Sequence, residues 1–133
     1  MNAILDAGPM VAFLGGEEGG DVVRGLLADP TTTCYCHAVS IIEVYYHFLR
    51  ISDEETAEKV IGDLLNDGLI IREDMDPLFW RMVSRLKIRG RISLADCFCI
   101  ALAQRVGGNL YTTDHHEFDA LVPLDLCTIV FIR

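Results

Sequence analysis

Four acidic residues fall at points of this chain where a strand ends or a helix begins. They are Asp6, Glu43, Asp96 and Asp114. Carboxylates that are held close together repel one another and raise one another's pKa, so a bound cation is their natural compensation. Hard carboxylate oxygens without thiolates favour magnesium or manganese over zinc. If the four acids meet in the fold, the sequence predicts a site for Mg²⁺ or Mn²⁺.

Helix capping is a second explanation for each acid taken singly. Ser40-x-x-Glu43 and Ser93-x-x-Asp96 have the spacing of capping boxes, and Asp114 has the spacing to cap a helix whose third residue is Glu117. Both explanations stay open for each acid alone. Capping does not explain why four acids would gather at one edge of a sheet, which favours a cation site.

The elements that position these acids alternate between strand and helix patterns. This alternation favours a three-layer α/β/α sandwich around a central, mainly parallel sheet of about five strands. Strands are predicted over 2–5, 32–37, 69–72, 110–112 and 127–132, and helices over 8–14, 21–27, 40–51, 53–66, 77–86, 93–106 and 115–121. The carboxyl ends of parallel strands and the following helix starts share one edge, where ligands usually bind. Three of the acids fall there, while strand order alone does not fix the place of Asp96.

The segment from Ser93 to Asp114 combines a buried helix, a turn, a strand and an acid. Its apolar run is interrupted by Asp96, and such a run is typical of a helix packed on several faces. Gly107-Gly108 then predicts a reversal of the chain, after which a short strand leads to Asp114. We therefore interpret this segment as a rigid support for two of the four acids.

Composition limits the class of protein. With 133 residues and 51% hydrophobic content, one domain spanning 1–133 is expected. No secretory signal or transmembrane run is recognisable, so we expect a cytoplasmic protein in which the five cysteines are reduced and serve packing. The net charge of −9 opposes non-specific nucleic-acid binding. Five of the 11 basic residues nevertheless cluster between 81 and 91, as either a solvated helix face or a local binding surface.

Four short motifs, in order, carry a resemblance to a known family. They are Ile4-Leu5-Asp6-Ala7-Gly8, Ser40-Ile41-Ile42-Glu43, Ser93-Leu94-Ala95-Asp96 and Thr112-Thr113-Asp114. Together they resemble the motif series of PIN-domain ribonucleases. Their order and spacing, with the chain length, look most like the VapC-type toxins of toxin-antitoxin pairs, and the similarity runs essentially from end to end.

The resemblance implies an activity, a cofactor and partners. It implies metal-dependent hydrolysis of RNA phosphodiester bonds, with Asp6, Glu43, Asp96 and Asp114 as the catalytic acids that hold one or two Mg²⁺ or Mn²⁺ ions. Asp6 and Asp96 would be the principal ligands, and Thr112 would be a supporting polar residue. The resemblance also implies a cognate antitoxin, which could place Arg or Lys among the carboxylates, and a homodimer.

Substrate contacts and one departure complete the prediction. Next to an acidic site, a basic run could follow the RNA backbone, and its arginines are Arg81, Arg85, Arg89 and Arg91. His115 directly follows Asp114 and could touch a phosphate. Many relatives carry Ser or Thr where this chain has Gly8, so a hydroxyl near the metal is lost, although the Gly8 backbone could still donate from the helix start.

Two other functional classes compete with a nuclease. One is a PIN fold kept as a non-catalytic scaffold that binds RNA or protein, which the intact acidic quartet opposes and Gly8 favours. The other is a magnesium-binding receiver domain that acts as a phosphorylation switch. Receiver domains have an early acidic pair and a lysine after the last inner strand, whereas Lys59 and Lys87 are the only lysines here and Asp6 has no adjacent acid.

Overall fold

The computed structural model describes residues 1–133 and contains five strands and seven helices. The strands are Asn2–Leu5 (β1), Thr33–His37 (β2), Ile70–Arg72 (β3), Asn109–Thr112 (β4) and Ile129–Phe131 (β5). The helices are Ala7–Gly15 (α1), Gly20–Ala28 (α2), Ala38–Ile51 (α3), Glu54–Asn66 (α4), Pro77–Lys87 (α5), Leu94–Val106 (α6) and His115–Phe118 (α7), and a 3-10 turn spans Val122–Leu124.

The five strands form one parallel sheet in the order β3-β2-β1-β4-β5. Successive side chains of β1 point to opposite faces, as expected for a strand. Ala3 and Leu5 join a core with residues of α1 to α4, whereas Ile4 joins a second core with residues of α5, α6 and α7. Helices thus cover both faces, and the predicted three-layer arrangement with a parallel sheet is confirmed.

The sheet topology explains why α6 begins at the same edge where β1 ends. The chain builds outward from β1 to β3 and then returns to place β4 on the other side of β1. Because α6 leads into β4, and β4 is parallel to β1, α6 runs opposite to the strands. Its first turn, with Asp96, therefore lies near the carboxyl ends of β1 and β4, which strand order alone did not reveal.

Helix α6 is buried along most of its length, as its apolar run predicts. All residues from Asp96 to Ala103 are buried, and the Asp96 backbone N–H donates to Ser93 Oγ at 3.2 Å, so Ser93 caps the helix. The helix ends at Gly107, whose φ of 68° is left-handed. A Cβ on Gly108 would lie 2.4 Å from Ile4 Cδ1 and 2.8 Å from the Asn2 carbonyl oxygen. Both glycines are thus required for the reversal into β4.

The predicted start of α3 at Ser40 is wrong. The helix begins at Ala38, because His37 accepts the Val39 backbone N–H through Nδ1 at 3.1 Å and so caps it. Ser40 is fully buried instead, with its Oγ 3.3 Å from Cys99 Sγ. The capping box predicted for Ser40 and Glu43 does not form, which leaves capping without a role for Glu43.

The remaining differences from the predicted elements are small. Helix α7 ends at Phe118 rather than at 121, and β5 is limited to three residues. Among the apolar residues of α5, Leu78 is 66% exposed, while Phe79, Val83 and Leu86 are buried. All five cysteines are free and four of them are buried. No helix has the length and apolar character needed to cross a membrane.

Candidate active site

An open acidic pocket lies at the carboxyl ends of β1 and β4. Nine residues line it: Asp6, Ala7, Gly8, Glu43, Ser93, Asp96, Thr113, Asp114 and Glu117. The structure thus brings the four predicted acids together with a fifth, Glu117. We call this cavity, with its five acids, the acidic pocket. The acids come from the residue after β1, from α3, from α6 and from the segment after β4, so the fold, rather than local sequence, assembles the site.

Asp6 lies at the end of β1 and is 7% exposed. Its Oδ1 accepts the Ala7 backbone N–H at 2.8 Å, which caps α1, and its Oδ2 accepts the Thr112 hydroxyl at 3.0 Å. The Cys99 thiol lies 3.7 Å from Oδ1. Burial raises the pKa of Asp6 although these donors oppose the rise. The carboxylate is therefore held firmly in place by neutral donors only.

Thr112 connects the acids of the two central strands. Its hydroxyl donates to Asp6 and also accepts the Asp114 backbone N–H at 3.1 Å. The side chain is fully buried at the end of β4, where a polar group needs such partners. One hydroxyl thus fixes the spacing between the end of β1 and the start of α7.

Asp96 is the acid with the most strongly raised pKa. It is 6% exposed, and its carboxylate, with those of Asp114 and Glu117, offers oxygens that all lie within 4.8 Å of one another. Burial, followed by the negative charge of Asp6 and a hydrogen bond with Glu117, raises the pKa of Asp96 to about 9. Without a bound cation, this group therefore favours the protonated form.

Glu43 completes the pocket from α3. It is half-buried, and burial is the main cause of its raised pKa, to which the charges of Asp6 and Glu117 add. The earlier start of α3 moves Glu43 into the second turn of the helix, yet its carboxylate still lines the pocket. Glu43 reaches the pocket because it lies on the face of α3 that is turned toward it, and a place in the first turn of the helix is not needed.

Sequence reasoning missed Glu117 as a site residue. The Glu117 backbone N–H donates to Asp114 Oδ1 at 3.1 Å, so the predicted cap of α7 does form. The Glu117 carboxylate, however, accepts the backbone N–H of Ser93 and lies beside Asp96. The Asp114-x-x-Glu117 spacing was recognised as a helix cap, which explains the hydrogen bond of the Glu117 backbone. It gave no role to the Glu117 carboxylate.

No basic side chain balances the charge of the acidic pocket. None of the five acids takes part in any of the six ion pairs of the protein. Five carboxylates, two of them buried, thus face one another with only neutral donors around them. Oxygen donors of this kind suit a hard divalent cation such as Mg²⁺ or Mn²⁺, so the residues fit the predicted cofactor.

The predicted substrate residues lie outside the pocket lining. Arg81, Arg85, Arg89 and Arg91 are all exposed, and none forms an ion pair with a carboxylate. The Arg81 guanidinium lies 4.9 Å from the centre of the Trp80 ring. Arg81 and Arg85 lie in α5, and Arg89 and Arg91 lie in the loop that leads into Ser93, a residue of the pocket lining. The loop thus joins the arginines to the acidic pocket along the chain.

His115 is turned toward the C-terminal segment rather than toward the pocket. Its Nδ1 lies 2.9 Å from Asp119 Oδ1, its Nε2 lies 2.8 Å from the Arg133 carbonyl oxygen, and its ring stacks on Phe131 at 3.9 Å. The hydrogen bond with Asp119 is the main reason why the pKa of His115 is raised. Both ring nitrogens are therefore engaged within the protein, which leaves neither free for the predicted phosphate contact.

The similarity to solved structures of VapC and VapBC proteins extends over almost the whole chain. VapBC2 from Rickettsia felis, bound to a promoter DNA fragment, is 15% identical with a TM-score of 0.73 and covers 98% of each chain. VapC20 from Mycobacterium tuberculosis, described as a sarcin-ricin loop cleaving toxin, is 15% identical with a TM-score of 0.70 and covers 90% of this chain and 95% of that one. VapBC-1 from Haemophilus influenzae is 16% identical with a TM-score of 0.69 and covers 99% and 98%.

Comparison by sequence identifies a protein family. No curated protein matches the chain by sequence. The family model described as PIN domain matches residues 3–122, which include all five acids of the pocket. The parallel sheet, its strand order and the shared fold of the VapC structures agree with that match. The chain therefore belongs to the PIN domain family.

Proposed function

We propose that this protein is an endoribonuclease that uses Mg²⁺ or Mn²⁺ to hydrolyse RNA phosphodiester bonds, within a single PIN-like domain spanning 1–133. The observation that carries the proposal is the acidic pocket, in which five carboxylates meet and no base balances them. A protein that used these acids only for stability would be expected to pair them with Arg or Lys. The missing positive charge favours a bound cation.

Asp6 and Asp96 are the proposed principal ligands, because both are buried and both face the pocket. Glu43 and Asp114 complete the set directly or through water, and Glu117 is added to it because its oxygen lies close to those of Asp96 and Asp114. A divalent ion held there would polarise a phosphoryl oxygen and offset the charge that develops during hydrolysis. A titration of the protein with Mg²⁺ or Mn²⁺ would give the number of ions bound.

The surrounding residues keep these carboxylates in a fixed arrangement. Thr112 holds Asp6 and the backbone of Asp114, while Ser93 caps the turn that carries Asp96 and donates its backbone N–H to Glu117. Gly8 lies at the start of α1 and lines the pocket beside Asp6. Such support lowers the cost of ordering ligands when a cation and a substrate arrive.

Cleavage assays with matched variants test the proposal. Purified protein is incubated with structured RNAs and with DNA, in Mg²⁺, Mn²⁺ or chelator. We expect metal-dependent cleavage of RNA that falls at least about 100-fold in Asp6→Asn and in Asp96→Asn, since each loses a principal ligand. Asp67→Asn, which removes an exposed acid at the end of α4, is the matched control and should cleave normally.

The outcomes of this assay separate the competing functions. Cleavage that survives both ligand substitutions would place the chemistry elsewhere in the protein or in a contaminant. RNA binding without cleavage in any metal would favour the non-catalytic scaffold. Cleavage of DNA alone would contradict the assigned substrate class, while keeping the metal site.

We also propose that the exposed arginines 81, 85, 89 and 91 guide the RNA backbone to the pocket. Their support is exposure, the absence of carboxylate partners, and the loop that joins them to Ser93. Because each phosphate contact releases counterions, Arg85→Ala with Arg89→Ala should weaken RNA binding and reduce its salt dependence by about two charges. Arg24→Ala with Arg50→Ala, two exposed arginines of other helices, is the control. Equal salt slopes would show that the run is only surface.

A further proposal is that the protein acts as the toxin of a toxin-antitoxin pair. Its support is the fold shared with VapC toxins and VapBC complexes, together with a strongly acidic pocket that a basic antitoxin segment could enter. Expression in a bacterial host should arrest growth, and Asp6→Asn should not. Normal growth with wild-type protein at equal expression would contradict the toxin assignment without affecting the metal site.

We propose in addition that the protein forms a homodimer. The exposed face of α3 supports this, since Ile42, Tyr46 and Leu49 recur at helical spacing and are 62%, 44% and 42% exposed. Exposed apolar residues in such a row are typical of an interface. Sedimentation analysis should show a dimer that Tyr46→Glu dissociates, whereas a wild-type monomer at micromolar concentration would contradict it.

A further inference from the structure

Thr113 and Gly8 share one small volume at the edge of the acidic pocket. A Cβ placed on Gly8 would lie 2.1 Å from Thr113 Oγ1 and 3.3 Å from Thr113 Cβ. Atoms never approach so closely without displacement, so any side chain at Gly8 would force the Thr113 hydroxyl to move. The Thr113 side chain can therefore adopt its observed position only because residue 8 is glycine.

The Thr113 hydroxyl differs from that of its neighbour Thr112. Thr112 is fully buried, and its hydroxyl is used twice within the protein, by Asp6 and by the Asp114 backbone. Thr113 is half-buried and lines the pocket, and its hydroxyl has no hydrogen-bond partner in the protein. A polar group of this kind, beside a site and free of internal partners, is available to a ligand.

We propose that Thr113 is a substrate-contact residue whose hydroxyl donates to a phosphodiester oxygen of RNA bound at the acidic pocket. This inference rests on the proposed ribonuclease function. The pocket is lined by carboxylates, which accept hydrogen bonds and repel phosphate, so a neutral O–H donor is chemically distinct among them. With five carboxylates present, the cation has better ligands than a hydroxyl, which assigns Thr113 to the substrate instead.

The position over Gly8 gives the hydroxyl a defined direction. Gly8 lies in the first turn of α1, directly after the cap formed by Asp6. The hydroxyl of Thr113 therefore stands between the start of α1 and the start of α7, next to the two acids that cap these helices, Asp6 and Asp114. A phosphate that reached a cation held by those acids would pass beside this donor.

The test compares substitutions that remove, keep or move the hydroxyl. Thr113→Val removes it with little change of shape, Thr113→Ser keeps it, and Gly8→Ala displaces it. The exchange variant, Gly8→Ser with Thr113→Ala, moves a hydroxyl to the other side of the shared volume. Binding of a short single-stranded RNA of mixed sequence is measured by anisotropy in calcium, with gels to show that the RNA stays intact, and cleavage is measured in Mg²⁺ and Mn²⁺.

We expect Thr113→Val and Gly8→Ala to weaken RNA binding by roughly tenfold, as for the loss of one hydrogen bond to a charged group. Thr113→Ser should stay close to wild type, and the exchange variant should recover most of the loss. Manganese affinity, followed by calorimetry, should not change in Thr113→Val. Thermal unfolding of each variant verifies that the effect on RNA binding is not a loss of fold.

Two results would overturn the inference. One is equal RNA affinity and equal cleavage by wild type and Thr113→Val, which, with wild-type cleavage intact, rejects the inference and leaves the ribonuclease function standing. The other is a parallel loss of manganese affinity in Thr113→Val, which would make Thr113 part of the metal site. If wild type binds RNA but cleaves none, the ribonuclease function fails, and the binding comparison still decides the role of Thr113. If wild type neither binds nor cleaves RNA, both fail.

Discussion

Two clusters of acidic side chains in this protein differ in whether a basic residue balances their charge. In the first, Asp74 and Asp76 are paired with Arg72 and Arg105, and we call these four residues the arginine-paired cluster. Arg72 Nε lies 2.8 Å from Asp74 Oδ1, and Arg105 contacts Asp74 Oδ2 at 2.9 Å and Asp76 Oδ2 at 2.7 Å. In the second cluster, the acidic pocket, no such partner is present.

The pKa shifts of the two clusters have opposite signs. The hydrogen bond from Arg72 is the main reason why the pKa of Asp74 is lowered, and Arg105 lowers the pKa of Asp76 to about 2. Burial raises the pKa of Asp6 and of Asp96 in the pocket. The chain thus supplies compensating charge where acids serve structure, and leaves compensation to a ligand where they serve the proposed function.

The largest expected effect comes from breaking the arginine-paired cluster. Arg105→Met should lower the free energy of unfolding, because it leaves Asp76 without a partner and the nearly buried Asp74 with only one. Denaturant unfolding measures this change. Arg50→Met is the control, since Arg50 is exposed, lies 5.3 Å from the centre of the Tyr46 ring and takes part in no ion pair. Equal, small losses in both variants would show that the arginine-paired cluster is not structural.

The second prediction concerns addition of a metal to the acidic pocket. Mg²⁺ or Mn²⁺ at ten times its dissociation constant should stabilise the wild type by about 1.4 kcal/mol, which raises the melting temperature by roughly 4 °C. Asp96→Asn should lose most of this gain, because it removes a ligand. Asp67→Asn should keep it. A similar rise in all three proteins would indicate that the ion acts on the general acidic surface instead.

The third prediction is a stability change with pH in the metal-free protein. Folding raises the pKa of Asp96 from 3.8 to about 9, so the folded state binds its proton more tightly than the unfolded state. The stability that this proton provides is complete below pH 4 and is lost as the pH rises toward 9. The melting temperature should therefore fall by about 3 °C or more between pH 5 and 8.

Asp96→Asn is the matched variant for this pH effect. It should unfold at a higher temperature than wild type at pH 8 without metal, with a shallower dependence on pH, because an amide is neutral in the fold without having to take up a proton from solvent. Asp76, whose pKa is lowered instead, contributes stability above pH 4 that is lost as the pH falls toward 2. An identical pH dependence in wild type and Asp96→Asn would contradict the raised pKa of Asp96.

Much of the fold follows from local patterns in the sequence. Alternating strand and helix signals, Asp-Pro at the start of α5, and Ser93 as the cap of α6 all predict elements that the structure contains. The start of α3 could not be predicted in the same way. Histidine is not among the preferred capping residues, and Ser40, which is, lies buried against Cys99, so tertiary packing overrode local capping preference.

The composition of the acidic pocket was only partly visible in the sequence. Asp6, Glu43 and Asp114 could be placed because they follow strands of a parallel sheet, a rule of topology. Glu117 was not placed, because its contacts with Ser93 and Asp96 join residues over 20 positions apart. The pairing of Gly8 with Thr113 was equally hidden, since it depends on how closely the start of α1 approaches the end of β4.

The smallest expected effect concerns the neutral support beneath the pocket. Ser40 Oγ lies 3.3 Å from Cys99 Sγ, and that thiol lies 3.7 Å from Asp6 Oδ1, so the three groups form a weak chain behind the acid. Ser40→Ala should reduce the free energy of unfolding by only about 0.5 kcal/mol, because the thiol can still donate to Asp6. Cleavage and metal affinity should stay within about twofold of wild type by the same argument.

Cys99→Ala is the matched change one step closer to Asp6. It removes a fully buried sulfur along with its contact to the carboxylate, so its loss of stability should exceed that of Ser40→Ala. If Ser40→Ala instead lowered metal affinity tenfold, neutral donors would be carrying part of the charge of Asp6. The acidic pocket would then compensate its acids from within, as the arginine-paired cluster does, and the contrast between the two clusters would be one of degree.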